Sequence, residues 1–152
     1  MRLNYKYPEF NDDLGHLVTS IKLSSFKPDL IVGLARGGLV TSVCLSHKLG
    51  IEMESINWPR EEAGRSNCFY IGDLIQEGKK ILFVDDIVDT GRSFESLLEH
   101  LQNGQIEDLN EDNYRVAALL WYTDSELFKP DYYGMKIDRS KIDFVDFWWE
   151  KK

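Results

Sequence analysis

Ile81-Leu82-Phe83-Val84-Asp85-Asp86-Ile87-Val88-Asp89-Thr90-Gly91-Arg92-Ser93 is the stretch on which the reading of this chain turns. Four successive apolar residues have the length and unbroken hydrophobicity of a strand covered on both faces. Asp85 and Asp86 follow where that strand emerges. Adjacent carboxylates repel and are costly to desolvate unless a cation or hydroxyl donors offset them. Asp89 to Ser93 then supplies a tight turn into a helix running from about Ser93 to Leu101, ended by Asn103-Gly104. The backbone N–H groups of such a turn, the hydroxyls of Thr90 and Ser93 and the helix N-terminus together suit a phosphate. Gly91 lets the chain turn and lets an anion approach the backbone. A place for diols or Mg²⁺ thus adjoins a place for a monophosphate, and a phosphorylated ribose carries both groups at that separation.

Working outward, the same alternation recurs. Phe10, Leu14, Leu17, Val18 and Ile21 fall at helical spacing, and Lys27-Pro28 breaks the pattern. Asp29 to Gly33 is a short buried-strand run, Gly37-Gly38 a turn, and Leu39 to Leu49 a helix closed by Gly50. Glu52 to Ile56 has the length of a short strand. Asn57 to Asn67 is polar, carries Pro59 and Gly64, and reads as a mobile loop. Val116 to Trp121 is another apolar strand, and the tail from Phe144 to Trp149 is rich in aromatics but alternates poorly. Apolar strands alternating with helices imply an α/β fold with a mostly parallel sheet flanked by helices. Ligands of such sheets bind beyond the carboxyl ends of the strands. Arg36-Gly37-Gly38 and Asp89-Thr90-Gly91 both lie at such ends.

The chain has 152 residues, 43% of them hydrophobic and 29% charged, which makes one domain over residues 1–152. A net charge of −8 argues against nucleic-acid or anionic-membrane binding, which needs clustered cations. It does not exclude a small anion held by backbone N–H groups, one local cation or a metal. Cys44 and Cys68, without CxxC or matching His spacing, suggest neither a disulfide framework nor a zinc site; Cys44 reads as a small core residue. The start, Met1 to Lys6, lacks an apolar signal core, and no run is long enough to span a membrane, so the expected location is the cytoplasm.

The stretch from Ile81 to Ser93 resembles the signature of the type I phosphoribosyltransferases: an apolar strand, two acids, two apolar residues, then Asp-Thr-Gly and a hydroxyl residue. The likeness is to the short purine branch, the hypoxanthine, guanine or xanthine enzymes, and covers the chain from about Asp29 onward. It implies a transferase that moves the 5-phosphoribosyl group of phosphoribosyl diphosphate to a free nucleobase, a 6-oxopurine, with Mg²⁺ as cofactor and a homodimer or homotetramer as assembly. Asp85 and Asp86 would face the ribose hydroxyls and the metal. Asp89, Thr90, Gly91, Arg92 and Ser93 would cradle the 5-phosphate, with Asp89 also exchanging a proton with the base.

Leu34 to Gly38 is similar to the family's diphosphate loop, giving Ala35, Arg36 and Gly37 that role and placing a non-proline cis peptide at Ala35-Arg36. The stretch at about 57–68 corresponds to the family's hood, in which Arg60 and Arg65 are available to reach diphosphate. The segment at about 121–150 corresponds to its base-binding end, with Phe144 stacking on the base and Val145 and Val88 beside it. One departure stands out. The family places a Lys after the strand that follows the signature, to recognise the purine 6-oxo group, whereas Leu119 to Ser125 contains none and Lys129 is displaced by several positions.

Other readings of the same residues are weaker. No GxxxxGK[ST] precedes the acidic pair as in a nucleotide hydrolase, and the pair is mid-chain rather than after the first strand as in receiver domains. The aromatic tail alone would be core or subunit packing, Trp58 a lid or subunit contact, and His16, His47 and His100 surface or packing residues. A non-catalytic binder of phosphoribosyl diphosphate or nucleotide on the same fold, or a transferase for another base, remain the alternatives.

Overall fold

The computed structural model describes residues 1–58, 61–104, 106–125 and 127–150, without the side chains of residues 61–67 and 69. The chain runs β1 (Arg2–Tyr5), α1 (Tyr7–Leu23), β2 (Leu30–Leu34), α2 (Gly38–Leu49), β3 (Met53–Ile56), α3 (Glu61–Gln76), β4 (Ile81–Val88), α4 (Arg92–Gly104), β5 (Tyr114–Tyr122), β6 (Tyr132–Ile137) and β7 (Phe144–Phe147), ending in a 3₁₀ turn at Trp148–Glu150. Five strands form a sheet in the order β3-β2-β4-β5-β6, and β1 pairs with β7 in a separate ribbon. Every pairing is parallel.

The apolar runs produce this sheet because helices cover both of its faces. Alternate residues of each strand enter opposite cores: Leu82 and Val84 pack with Leu14, Leu17 and Leu45, while Ile81 and Phe83 pack with Cys68, Ile71, Phe94 and Leu97. So α1 and α2 lie on one face and α3 and α4 on the other. From β2 the chain moves through α2 to the β3 edge, then returns through α3 to β4 on the other side of β2. The β2/β4 boundary is therefore the topological switch point, where the crevice beyond the strand ends is available to a ligand.

Several local expectations need correction. β4 does not end at Val84 but continues to Val88, so Asp85 and Asp86 are strand residues. The stretch read as a loop from 57 to 67 is helical from Glu61 onward, because Cys68, Ile71 and Ile75 give that segment a buried face to which its polar first half is attached. Pro59, Arg60 and the side chain of Arg65 lie outside the described residues. α1 stops at Leu23, four residues before Lys27-Pro28, where the Ser24 hydroxyl donates to the Ile21 carbonyl. The tail becomes a strand by pairing with β1, register Arg2 with Phe144, which no local pattern announces.

β6 carries no clear strand signal in the sequence. Tyr-Tyr-Gly-Met-Lys-Ile is an edge strand with a broken apolar pattern, and α1 lies so close over it that a side chain at Gly134 would meet the Leu119 carbonyl at 2.6 Å and Asp13 Cβ at 2.8 Å. No helix among the described residues is long and apolar enough to cross a membrane.

Candidate active site

Loops that follow β2, β4, β5 and β6 converge beyond the carboxyl ends of these strands. The first follows β2. Ala35 donates its backbone N–H to the Ile56 carbonyl at 2.7 Å, and the Ala35-Arg36 peptide is cis, as expected. Gly37 lies directly against the Asp86 carboxylate, where any side chain would collide with it, and a Cβ on Gly38 would meet the Val84 carbonyl at 2.5 Å. These two glycines let the loop close onto the acidic pair.

Asp86 is 7% exposed, and its backbone N–H bonds to Asp85 Oδ1 at 2.9 Å. Among the described residues no cation pairs with either acid. Burial pushes the Asp86 carboxyl up to about 6, and the Glu150 carboxylate of the C-terminal turn adds to that rise. Burial also raises Asp85 well above the usual carboxylate range, with the Asp86 charge next in importance. The pair is thus charge-frustrated until a cation or hydroxyl donors arrive. No cluster of three or more acidic, His or Cys side chains suited to a metal occurs among the described residues. Two carboxylates plus ligand oxygens and water are nonetheless the donor set Mg²⁺ commonly takes.

The second loop is the turn from Asp89 to Gly91 and the first turn of α4. Asp85 to Phe94 line a hollow of about 210 Å³. The Arg92 N–H reaches Thr90 Oγ1 only at 3.4 Å, and Gly91 Oaccepts from the Glu95 N–H at 3.0 Å. First-turn N–H groups of a helix have no intrahelical acceptor and face an anion placed there. Gly91 is needed twice over: its φ is +87°, and a Cβ would meet Phe128 Cβ at 2.5 Å.

Phe128 belongs to the third loop, after β5, and stacks on Phe94 of α4 with ring centroids 5.6 Å apart. Ser125 folds this loop by accepting from Trp121 Nε1 at 2.9 Å and donating to the Phe128 carbonyl at 2.7 Å. The result is a cleft of about 380 Å³ lined by Asp89, Thr90, Arg92, Asp124, Ser125, Leu127 and Arg139. Within it Arg139 bridges two acids. Its Nη2 bonds to Asp89, its Nε bonds to Asp124 at 2.9 Å, and its guanidinium lies 4.1 Å from the Tyr122 ring centroid.

Asp85, Asp86, Asp89, Thr90, Gly91, Arg92 and Ser93 are therefore contiguous around one hollow, with the loop carrying Ala35, Arg36 and Gly37 against it. The base-side expectations fare differently. Val145 and Val88 are buried in the two cores, Val88 with its residue also bordering the hollow. Phe144 is 51% exposed, has the Arg2 guanidinium 4.5 Å from its ring centroid, and does not line the cleft. Lys129 lies over Trp121, its Nζ 5.5 Å from the ring centroid. Trp58 donates to Ser96 Oγ at 2.9 Å and packs against His100, so it is fixed to α4.

Arg139, Asp124 and Glu150 lie within the segment at about 121–150 expected at the base end, but no motif singles them out. The signal for Arg139 was its place in the turn after β6, the carboxyl end of a parallel strand, but that strand was not recognised.

Residues 4–150 match the family described as the phosphoribosyl transferase domain. An orotate phosphoribosyltransferase of Sulfurisphaera tokodaii is 30% identical over 125 residues, 82% of this chain and 57% of that protein. A xanthine-guanine phosphoribosyltransferase of Cereibacter sphaeroides is 34% identical over 71 residues, 43% of this chain and 42% of that protein. The matches thus span about half the length of these curated relatives. Among solved structures, the xanthine-guanine-hypoxanthine phosphoribosyltransferase of Helicobacter pylori superposes with a TM-score of 0.72 at 26% identity, covering 99% of this chain and 93% of that one.

Proposed function

Because this chain belongs to the phosphoribosyl transferase domain family, we propose that it transfers the 5-phosphoribosyl group of phosphoribosyl diphosphate to a free nucleobase, specifically a 6-oxopurine. The observation that carries this reading is the continuity of three features: a buried uncompensated acid pair, an anion-ready helix start, and a cleft of base size beside them.

In this reading Thr90, Gly91, Arg92 and Ser93 bind the 5-phosphate through first-turn N–H groups and hydroxyls. Asp85 and Asp86 accept from the ribose hydroxyls and would be the residues that hold Mg²⁺. When bound, the metal neutralises the pair and stabilises the charge of the leaving diphosphate. Arg36 and the backbone of the 35–37 loop stabilise the same developing charge. The ring nitrogen N9 attacks the anomeric carbon, the bond from that carbon to diphosphate breaks with its electron pair leaving on diphosphate, and the N7 proton passes to Asp89. Arg139 bonds to Asp89 through Oδ1, which leaves Oδ2 to accept that proton.

The test is diphosphate release from phosphoribosyl diphosphate and Mg²⁺ with a panel of hypoxanthine, guanine, xanthine, adenine and orotate. Turnover of the oxopurines is expected. Tight binding of phosphoribosyl diphosphate with no turnover of any base would make the protein a non-catalytic binder instead. Turnover of orotate alone would favour a pyrimidine transferase, the reading to which the Sulfurisphaera tokodaii relative lends weight.

A further inference from the structure

The lysine expected to read the purine oxo group is absent, yet the cleft holds a fixed cation in another place. Arg139 is constrained on three sides: by Asp89 at Nη2, by Asp124 at Nε, and by the Tyr122 ring beneath it. An exposed arginine held by a single acid would sample many rotamers. Two acids and an aromatic face hold this one in a single plane inside the cleft. The two bonds use two of the five N–H donors that a guanidinium offers. Along the cleft the side chains therefore form an ordered row: carboxylate, guanidinium, carboxylate. In hydrogen-bonding terms it is acceptor, donor, acceptor.

We infer that Asp89, Arg139 and Asp124 read the edge of a 6-oxopurine, with Arg139 donating to O6 and Asp124 accepting from N1–H. This inference rests on the transferase reading for the role of Asp89, but its chemistry is separate. A free 6-oxopurine protonated on N7 presents N7–H, O6 and N1–H in that order, which is donor, acceptor, donor. It complements the row at all three positions. Adenine presents donor, donor, acceptor, so its amino group faces the guanidinium and its bare N1 faces a carboxylate. The O4, N3–H, O2 edge of a pyrimidine is acceptor, donor, acceptor and opposes the row throughout. The oxopurine can dock with the row intact, because Arg139 keeps three N–H donors and each carboxylate keeps a second oxygen beyond the bonds that hold the row together. Leu127, 44% exposed at the same cleft, supplies apolar surface for the ring.

The test uses product nucleotides, because binding then reports recognition without turnover. In a nucleotide N7 carries no proton in GMP, IMP or AMP alike, so differences among them report Arg139 and Asp124. Calorimetric titration of the wild-type protein should show GMP and IMP bound more tightly than AMP. Arg139→Ala should weaken GMP and IMP by about 10- to 150-fold, the range of one lost charge-assisted hydrogen bond, while AMP binds no more weakly than before and phosphoribosyl diphosphate is unchanged. Equal affinity of the wild type for GMP and AMP overturns the inference without any variant, and so does an equal loss of both in Arg139→Ala. Arg139→Lys, which keeps a donor and the ion pairs, should retain the sign of the preference. If guanine turns over while Arg139→Ala keeps its GMP affinity, this inference alone fails. If no base turns over but the Arg139-dependent preference persists, the transferase reading alone fails.

Discussion

Asp86→Asn should make the metal-free protein more stable at neutral pH. The Asp86 carboxyl is 7% exposed, has no cation beside it among the described residues, and is raised from 3.8 to about 6, chiefly by burial. A carboxyl whose folded value lies above its unfolded one is held more tightly as the acid in the folded state. Folding then costs nothing extra below about pH 4 and progressively more as pH climbs through 6. At roughly 1.36 kcal/mol per pH unit, the rise is worth about 3 kcal/mol above pH 7. Asparagine removes that cost and the repulsion of Asp85, while keeping the shape that packs against Gly37.

For a chain of this length the gain corresponds to about 6 to 12 °C in Tm. Thermal unfolding of both proteins in EDTA from pH 4 to 8 measures it: the two curves should nearly coincide at pH 4 and separate as pH rises. Mg²⁺ with phosphoribosyl diphosphate should then stabilise the wild type more than the variant. A variant no more stable at pH 7.5, or a difference that does not grow with pH, refutes the claim that this pair is held at a cost.

Other substitutions probe the turn, the buried acid behind the sheet and the chemistry. Gly91→Ala puts a side chain at φ +87° into Phe128 and should cost about 2 to 4 kcal/mol in urea unfolding, with weaker binding of ribose 5-phosphate. Tyr5→Phe deletes the hydroxyl that donates to buried Asp13 at 2.6 Å and should cost about 1 to 3 kcal/mol. Burial already raises Asp13, so that loss should shrink as pH falls and the carboxyl is protonated. Asp89→Asn should lower kcat by about 10²- to 10⁴-fold, the usual worth of a general base, with the affinity for phosphoribosyl diphosphate little changed. Parallel loss of both would remove Asp89 from the proton-transfer role.

The parts of the fold legible in the sequence are those whose signal is local. Leu30 to Gly33, within the run read from Asp29, and Ile81 to Val84 could be read as doubly covered strands because they carry no polar side chain, and both proved buried throughout those spans. Gly37 and Gly91 could be read as turn residues because only glycine suits the backbone or the space there. α3 was hidden because its polar first half carries Gly64 and follows Pro59, while the apolar residues that anchor it begin only at Cys68. β1 and β7 exist through each other, across 142 positions of register from Arg2 to Phe144, and neither has a strand pattern of its own.

The site divides along the same line. Its phosphate end is made by one continuous segment, largely from backbone N–H groups and one positive-φ glycine, so it is written in consecutive letters. Its base end is assembled from Asp89, Asp124 and Arg139, which lie beyond three neighbouring strands and meet only because β4, β5 and β6 are parallel and in register. Side chains brought together in this way leave no motif. They can also be exchanged at little cost to the fold, since all three are partly exposed and none packs in either core. The hard contact between the halves is Phe128 on Gly91, which fixes where the base loop stands relative to the phosphate turn without dictating what the loop presents. A change of base preference on this scaffold would therefore run through Asp124, Ser125, Leu127 and Arg139, while the ribose and phosphate end keeps its geometry.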